Sequence, residues 1–114
     1  KALTTIKIPN SVISIDAYAF CECESLTEVI LPKHLREIGE RAFFNCFQLE
    51  SIHIPDSLTR IRANAFGRCR QLAAVRLPQN VQLNIDNEAF SKCFSLFQVQ
   101  LPMLMSPQQQ IAII

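Results

Sequence analysis

The sequence predicts a β-rich α/β solenoid of about four 23-residue repeats plus a fifth strand, with parallel strands and short helical or 3-10 corners. Three observations predict it. Leu3, Leu26, Leu49, Leu72 and Leu96 fall 23, 23, 23 and 24 residues apart. Pro9, Pro32, Pro55, Pro78 and Pro102 keep the same beat. So do the pairs Ala19-Phe20, Ala42-Phe43, Ala65-Phe66 and Ala89-Phe90, and the cysteines Cys23, Cys46, Cys69 and Cys93. A fixed period of this size marks a repeat architecture. One unit cannot bury its own apolar face, and stacked neighbours must cover it.

Residues 26–48 show why each part of the unit takes its form. The opening Leu26-Thr-Glu-Val29-Ile-Leu31 ends in the two-residue alternation of a strand, with Val29 and Leu31 on the inward face. Pro32 lacks the N–H needed to continue a ladder and ends that strand. A second extended piece, Leu35-Arg-Glu-Ile38, leads into a polar turn at Gly39-Glu40-Arg41. Ala42, Phe43, Cys46 and Leu49 have the spacing of a single helical turn facing inward. Stacked coils then pile like on like: a Leu ladder, an Ile/Val ladder, a Phe ladder and a Cys ladder.

The coils run 3–25, 26–48, 49–71 and 72–95, followed by a strand from Leu96 to Pro102. The fourth coil carries one extra residue between Val81, expected to face inward, and Ile85; the insertion should bulge outward and leave the core register intact. Residues 1–102 therefore form one solenoid domain. Residues 103–114, MLMSPQQQIAII, abandon the pattern and are expected to be a C-terminal cap or the start of a linker.

At 49% hydrophobic and 18% charged residues the composition is globular and not disordered. No apolar run approaches the roughly 20 residues needed to cross a bilayer as a helix. The chain begins at Lys1, inside a strand pattern, as expected of an excerpt or a processed chain, so missing targeting signals decide nothing. The net charge of +1 implies no bulk affinity for nucleic acid or membrane. Charge is nevertheless uneven. Asp16, Glu22, Glu24 and Glu28 cluster early, whereas Arg60, Arg62, Arg68, Arg70 and Arg76 occur with no acid between 57 and 85. Nucleic-acid binding would also want aromatics interleaved with the basic residues, and the phenylalanines are expected in the core.

From Pro9-Asn-Ser11-Val12 through Ile15, Ala19-Phe20 and Cys23 to Leu26, and again from Ile54-Pro-Asp-Ser-Leu58 through Ala65-Phe66 and Cys69, the chain resembles the BspA-like, or Treponema-type, leucine-rich repeat family. The resemblance covers about residues 3–102. It departs from the pattern in keeping the glycine after the second Ile only as Gly39, and in the fourth-coil insertion. It implies a right-handed leucine-rich repeat coil. It also implies an adhesion or recognition role, since members resembling this chain are often surface or secreted proteins of bacteria and protists that bind partner proteins. One fold hosts many roles.

Candidate sites divide into thiols, histidines and an outward strand face. Cys23, Cys46, Cys69 and Cys93 recur once per coil beside Phe, as a buried packing ladder and not as the paired clusters of a zinc site. Free thiols in every coil allow an intracellular compartment, against the surface location that the resemblance favours. Cys21 stands outside the ladder and is the candidate for an exposed, reactive thiol. His34 follows a proline-led turn and is expected in solvent. Glu28, Ser51 and His53 can be drawn as an acid–Ser–His set, but a flat sheet offers no oxyanion pocket. The expectation is no catalytic residues, no cofactor and no metal.

The outward positions of the first strand differ in every coil: Thr5 and Lys7, Glu28 and Ile30, Ser51 and His53, Ala74 and Arg76, Gln98 and Gln100. Above a monotonous core, that variety is the candidate partner-binding surface, as solenoids use such a face. The expected function is a non-catalytic protein-binding module of a larger, surface-exposed microbial protein; an intracellular scaffold or spacer segment is the alternative. The expected partner is a protein, with no nucleic acid and no membrane insertion. Uncapped sheet edges also leave room for self-association.

Overall fold

The computed structural model describes residues 4–78, 82–96 and 98–100. Among the described residues nine short strands alternate between two parallel sheets. One sheet holds β1 (Thr5–Lys7), β3 (Glu28–Ile30), β5 (Ser51–His53), β7 (Ala74–Arg76) and β9 (Gln98–Gln100), in that order. The other holds β2 (Ser14–Ile15), β4 (Glu37–Ile38), β6 (Arg60–Ile61) and β8 (Asn84–Ile85). Each strand pairs with its own counterpart one coil away, as Ile6 with Val29 and Ile38 with Ile61. The sequence period thus becomes the register.

Between the sheets the chain turns at Pro9, Pro32 and Pro55. The carbonyls of Pro9, Pro32 and Pro55 accept from the N–H of Val12, Leu35 and Leu58, at 3.0, 3.2 and 3.1 Å. Proline cannot donate but keeps its carbonyl, so it ends a strand and opens a turn with one residue.

The third side corrects the expected corner. Among the described residues no α- or 3-10 helix occurs there, only consecutive turns. The cause is a left-handed residue every four positions: Tyr18 and Glu22, Arg41 and Asn45, Asn64 and Arg68, Glu88 and Lys92, with φ between 54° and 63°. Each such residue stops helical propagation. Alternate N–H groups divide the work. Those of Ala42, Phe44 and Cys46 close turns within the coil onto Gly39, Arg41 and Phe43, while those of Arg41, Phe43 and Asn45 reach across to Ala63, Ala65 and Gly67 of the next coil. The corner is therefore a third coil-to-coil ladder. It satisfies the backbone as a helix could not, because a helix spends all its N–H groups on itself.

The core lies between these three sides. Leu26, Leu49 and Leu72, Leu35 and Leu58, Ile38 and Ile61, and Phe43 and Phe66 are fully enclosed. The first coil is less covered, having a neighbour on one side: Ile6, Val12, Phe20 and Cys23 are only partly buried. Ala19 is exposed where Ala42, Ala65 and Ala89 are buried. Phe20, Phe43, Phe66 and Phe90 stack in one column with centroid spacings of 5.3, 5.2 and 5.3 Å.

The fourth coil keeps register after its insertion, since Arg60 pairs with Asn84 and Ile61 with Ile85. Leu83 is buried although the 23-residue pattern assigns no core role to its position. Val81, expected to face inward, lies outside the described residues, as do Leu3, Pro102 and the segment 103–114.

Candidate functional site

Strand pairing arranges the outward residues into two rows. One runs Thr5, Glu28, Ser51, Ala74 and Gln98. In the other, Lys7 is registered with Ile30, and His53 with Arg76 and Gln100. Thr5, Lys7, Glu28, Ile30, Ser51, His53 and Arg76 are exposed and Ala74 is half-buried, while Val29, Ile52 and Val75 between them face the core. The side chains of Gln98 and Gln100 lie outside the described part of the structure. Ile30 leaves 44% of its surface in water, an apolar group among charged neighbours.

A depression of about 480 Å³ opens at the middle of this face. The strand residues Glu28, Ile30, Ser51 and His53 and the turn residues Lys33 and Asp56 line it. The strand pattern identified the first four. It missed Lys33 and Asp56, which follow the prolines of neighbouring coils; recurrence of that position every 23 residues is the signal that could have found them. Leu31, expected inside, is partly buried and joins the lining. Glu28 and Ser51 are registered neighbours and His53 shares their depression, but the hollow is open and shallow. His34 is exposed, as expected, and lies on another side with Ile13 and Arg36.

The cysteine ladder is internal and unbridged. Cys46 and Cys69 are enclosed, and all five thiols are free. Three of the four ladder thiols also donate to the preceding coil: Cys46 Sγ to the Phe20 carbonyl at 3.2 Å, Cys69 to Phe43 at 3.2 Å and Cys93 to Phe66 at 3.1 Å. Burial pushes the Cys46 thiol up to about 12 and that of Cys93 to about 11. Such thiols stay protonated and unreactive. Cys21 corrects an expectation. It is half-buried, and burial, with the charge of Glu22, raises its pKa, the opposite of activation.

The arginines also read differently in space. Arg60 pairs with Asp86 at 3.3 Å and Arg62 with Glu37, acids 26 and 25 residues away in neighbouring coils. Arg41 and Arg68 both lie over the Phe44 ring, and Arg70 lies over Phe47. Phe44 and Phe47 are only partly buried and Phe94 is 76% exposed, so these three phenylalanines are not core, contrary to the sequence expectation.

Among the described residues no helix is long and apolar enough to cross a membrane, and no group of three or more His, Cys, Asp or Glu is placed to hold a metal ion.

Comparison with known proteins bears on the whole coil. The BspA type leucine rich repeat region (6 copies) matches residues 1–111. A leucine rich cell surface protein from Faecalibacterium prausnitzii is 34% identical with a TM-score of 0.83, over 97% of this chain and 28% of that one. A leucine-rich repeat protein from Bacteroides ovatus is 31% identical with a TM-score of 0.85, over 96% of this chain and 28% of that one. A T. pallidum leucine rich repeat protein is 27% identical, with a TM-score of 0.57 over 86% of this chain and 58% of that one. The chain thus spans 28% of the length of each of the first two. No curated protein matches it. With its repeat unit, its register and its solved relatives all in agreement, the chain belongs to the BspA-type leucine-rich repeat family.

Proposed function

We propose that this chain is a non-catalytic protein-binding module within a larger, surface-exposed microbial protein, and that the first-strand face is its recognition surface. The observation that carries this reading is the contrast across one strand. At each coil the inward residue is Ile or Val, while the outward pairs change from Thr5/Lys7 to Glu28/Ile30, Ser51/His53 and Ala74/Arg76. Ile30 adds an apolar group to a depression that Lys33 and Asp56 also line, a mixture suited to a protein partner. Rigid parallel strands hold these groups at fixed spacing, so little ordering entropy is lost when a partner docks. The surface location rests on the similarity to the cell surface protein of F. prausnitzii.

The test compares the parent with a Lys7→Glu, His53→Ala, Arg76→Glu triple variant in capture from host-cell and extracellular-matrix extracts, after matching the two by circular dichroism and Tm. Capture of a defined protein by the parent and its loss in the equally folded variant supports the reading. Equal capture by both, or by neither, overturns it and leaves the coil as a spacer.

A further inference from the structure

The turn side carries a second feature, separate from the strand face. At the position held by Cys21, Phe44 and Ser91 in the other coils, the third coil has Gly67. A Cβ there would lie 2.9 Å from Phe44 Cδ1 and 3.0 Å from Asn64 Oδ1, so the Phe44 ring lies down over the glycine. The ring covers only part of the gap. Beyond it remains a hollow of about 200 Å³ walled by Phe44, Asn64 and Ser91. That is room for several waters at about 30 Å³ each.

Charge converges on this hollow. Arg41, Arg68 and Lys92, from three successive coils, line it together with one acid, Glu88. The guanidinium carbons of Arg41 and Arg68 lie 5.3 and 5.7 Å from the centroid of the same ring. Among the described residues these three cations have no ion pair, unlike Arg60 and Arg62. Arg41 donates from Nη1 to the Tyr18 hydroxyl at 3.2 Å, yet its Nε is shut off from solvent without a partner. A buried donor left unmade is costly, and like charges gathered at one ring repel. An anion in the hollow relieves the repulsion.

All three cations also occupy left-handed positions, with φ of 54°, 58° and 58°. Asn45 and Asn64 fill equivalent positions with a residue that tolerates that conformation at less strain.

We propose that the hollow beside Gly67 is an oxyanion-binding site for a dianionic phosphate or sulfate group. Three cations less the Glu88 carboxylate leave a site charge of +2, which matches a dianion better than a carboxylate. Ser91 and the Asn64 amide supply neutral hydrogen bonds, and the arginine forks fit tetrahedral oxyanions. The group can be a free ion or a phosphate monoester on a larger molecule; the shared chemistry is the doubly charged oxyanion.

The whole 114-residue chain is titrated at low ionic strength with sodium phosphate, sodium sulfate and sodium acetate, by calorimetry and amide chemical shifts. Arg68→Gln and Lys92→Gln remove site charges, and Arg76→Gln, on the strand face, removes one elsewhere; all are checked for unchanged Tm. The expected result is single-site saturation by phosphate or sulfate, weakened about tenfold or more by either site variant, unaffected by Arg76→Gln, and at least about tenfold weaker for acetate. A phosphorylated monosaccharide, titrated next, distinguishes an ester source from the free ion. Absence of saturation, equal affinity for acetate, or equal loss in Arg76→Gln overturns the proposal.

Discussion

Phe43 and Phe66, one coil apart, stack with ring centroids 5.2 Å apart and planes within 2° of parallel. Strand spacing across a parallel sheet is about 4.8 Å, so register alone brings the rings within van der Waals reach, in the offset arrangement that aromatic quadrupoles favour. Phe43 is fully buried and also stacks on Phe20. Phe43→Ala is expected to cost about 3–5 kcal/mol, because rings above and below are held by their own coils and cannot collapse into the cavity. Urea unfolding followed by circular dichroism measures it; a variant as stable as the parent would contradict the column.

The two glycines should respond differently to the same substitution. A Cβ on Gly39 would meet only backbone of the preceding coil, with Ala17 N at 2.5 Å and Ile15 O at 2.8 Å. Gly39 also donates to the Ile15 carbonyl at 2.8 Å, so the coils cannot part without losing a ladder bond. Gly39→Ala is expected to destabilise by about 1–3 kcal/mol. Gly67→Ala meets a partly exposed phenyl ring that can tilt away, and should cost less. Equal losses in the two melting curves would refute this distinction.

Alkaline stability follows from the buried thiols. Burial raises Cys46 from 9.0 to about 12 and Cys93 from 9.0 to about 11. A thiol held protonated in the fold but free to ionise near pH 9 when unfolded lends stability that is fully present below pH 9 and lost as pH rises toward 12. Tm should therefore be flat up to about pH 9 and fall above it. Cys46→Ala, though less stable at neutral pH, should show a shallower fall. An identical slope in the variant would assign the loss to other groups.

Alternation along the strand sets the last prediction. Ile30 and Ile52 are both mid-sheet isoleucines, but Ile30 is 44% exposed and Ile52 only 3%. Ile30→Lys should change stability by about 1 kcal/mol or less, the span of strand preferences. Ile52→Lys places an unpaired charge in the core and should prevent folding. Amide spectra of the two variants decide the matter at once.

Leu, Pro, Ala-Phe and Cys recurring every 23 residues were sufficient by themselves to specify the parallel register, most of the inward set and the two rows on the strand face. They could do so because a repeat makes every long-range contact a copy of one local rule: residue i meets its counterpart one period on. What departs from the repeat was decided in three dimensions. The corner looked helical because spacing cannot reveal the left-handed φ of Arg41 or Asn45, which sends alternate N–H groups to the next coil. Leu83 lies in the core although the repeat gives its position no inward role. Arg60 found Asp86, and Arg68 joined Arg41 on the Phe44 ring, because stacking brings together side chains that lie 26 and 24 positions apart in the chain. A periodic sequence specifies the contacts between equivalent positions. Contacts between unlike side chains on adjacent coils depend on where each one reaches, and only the folded coil settles that.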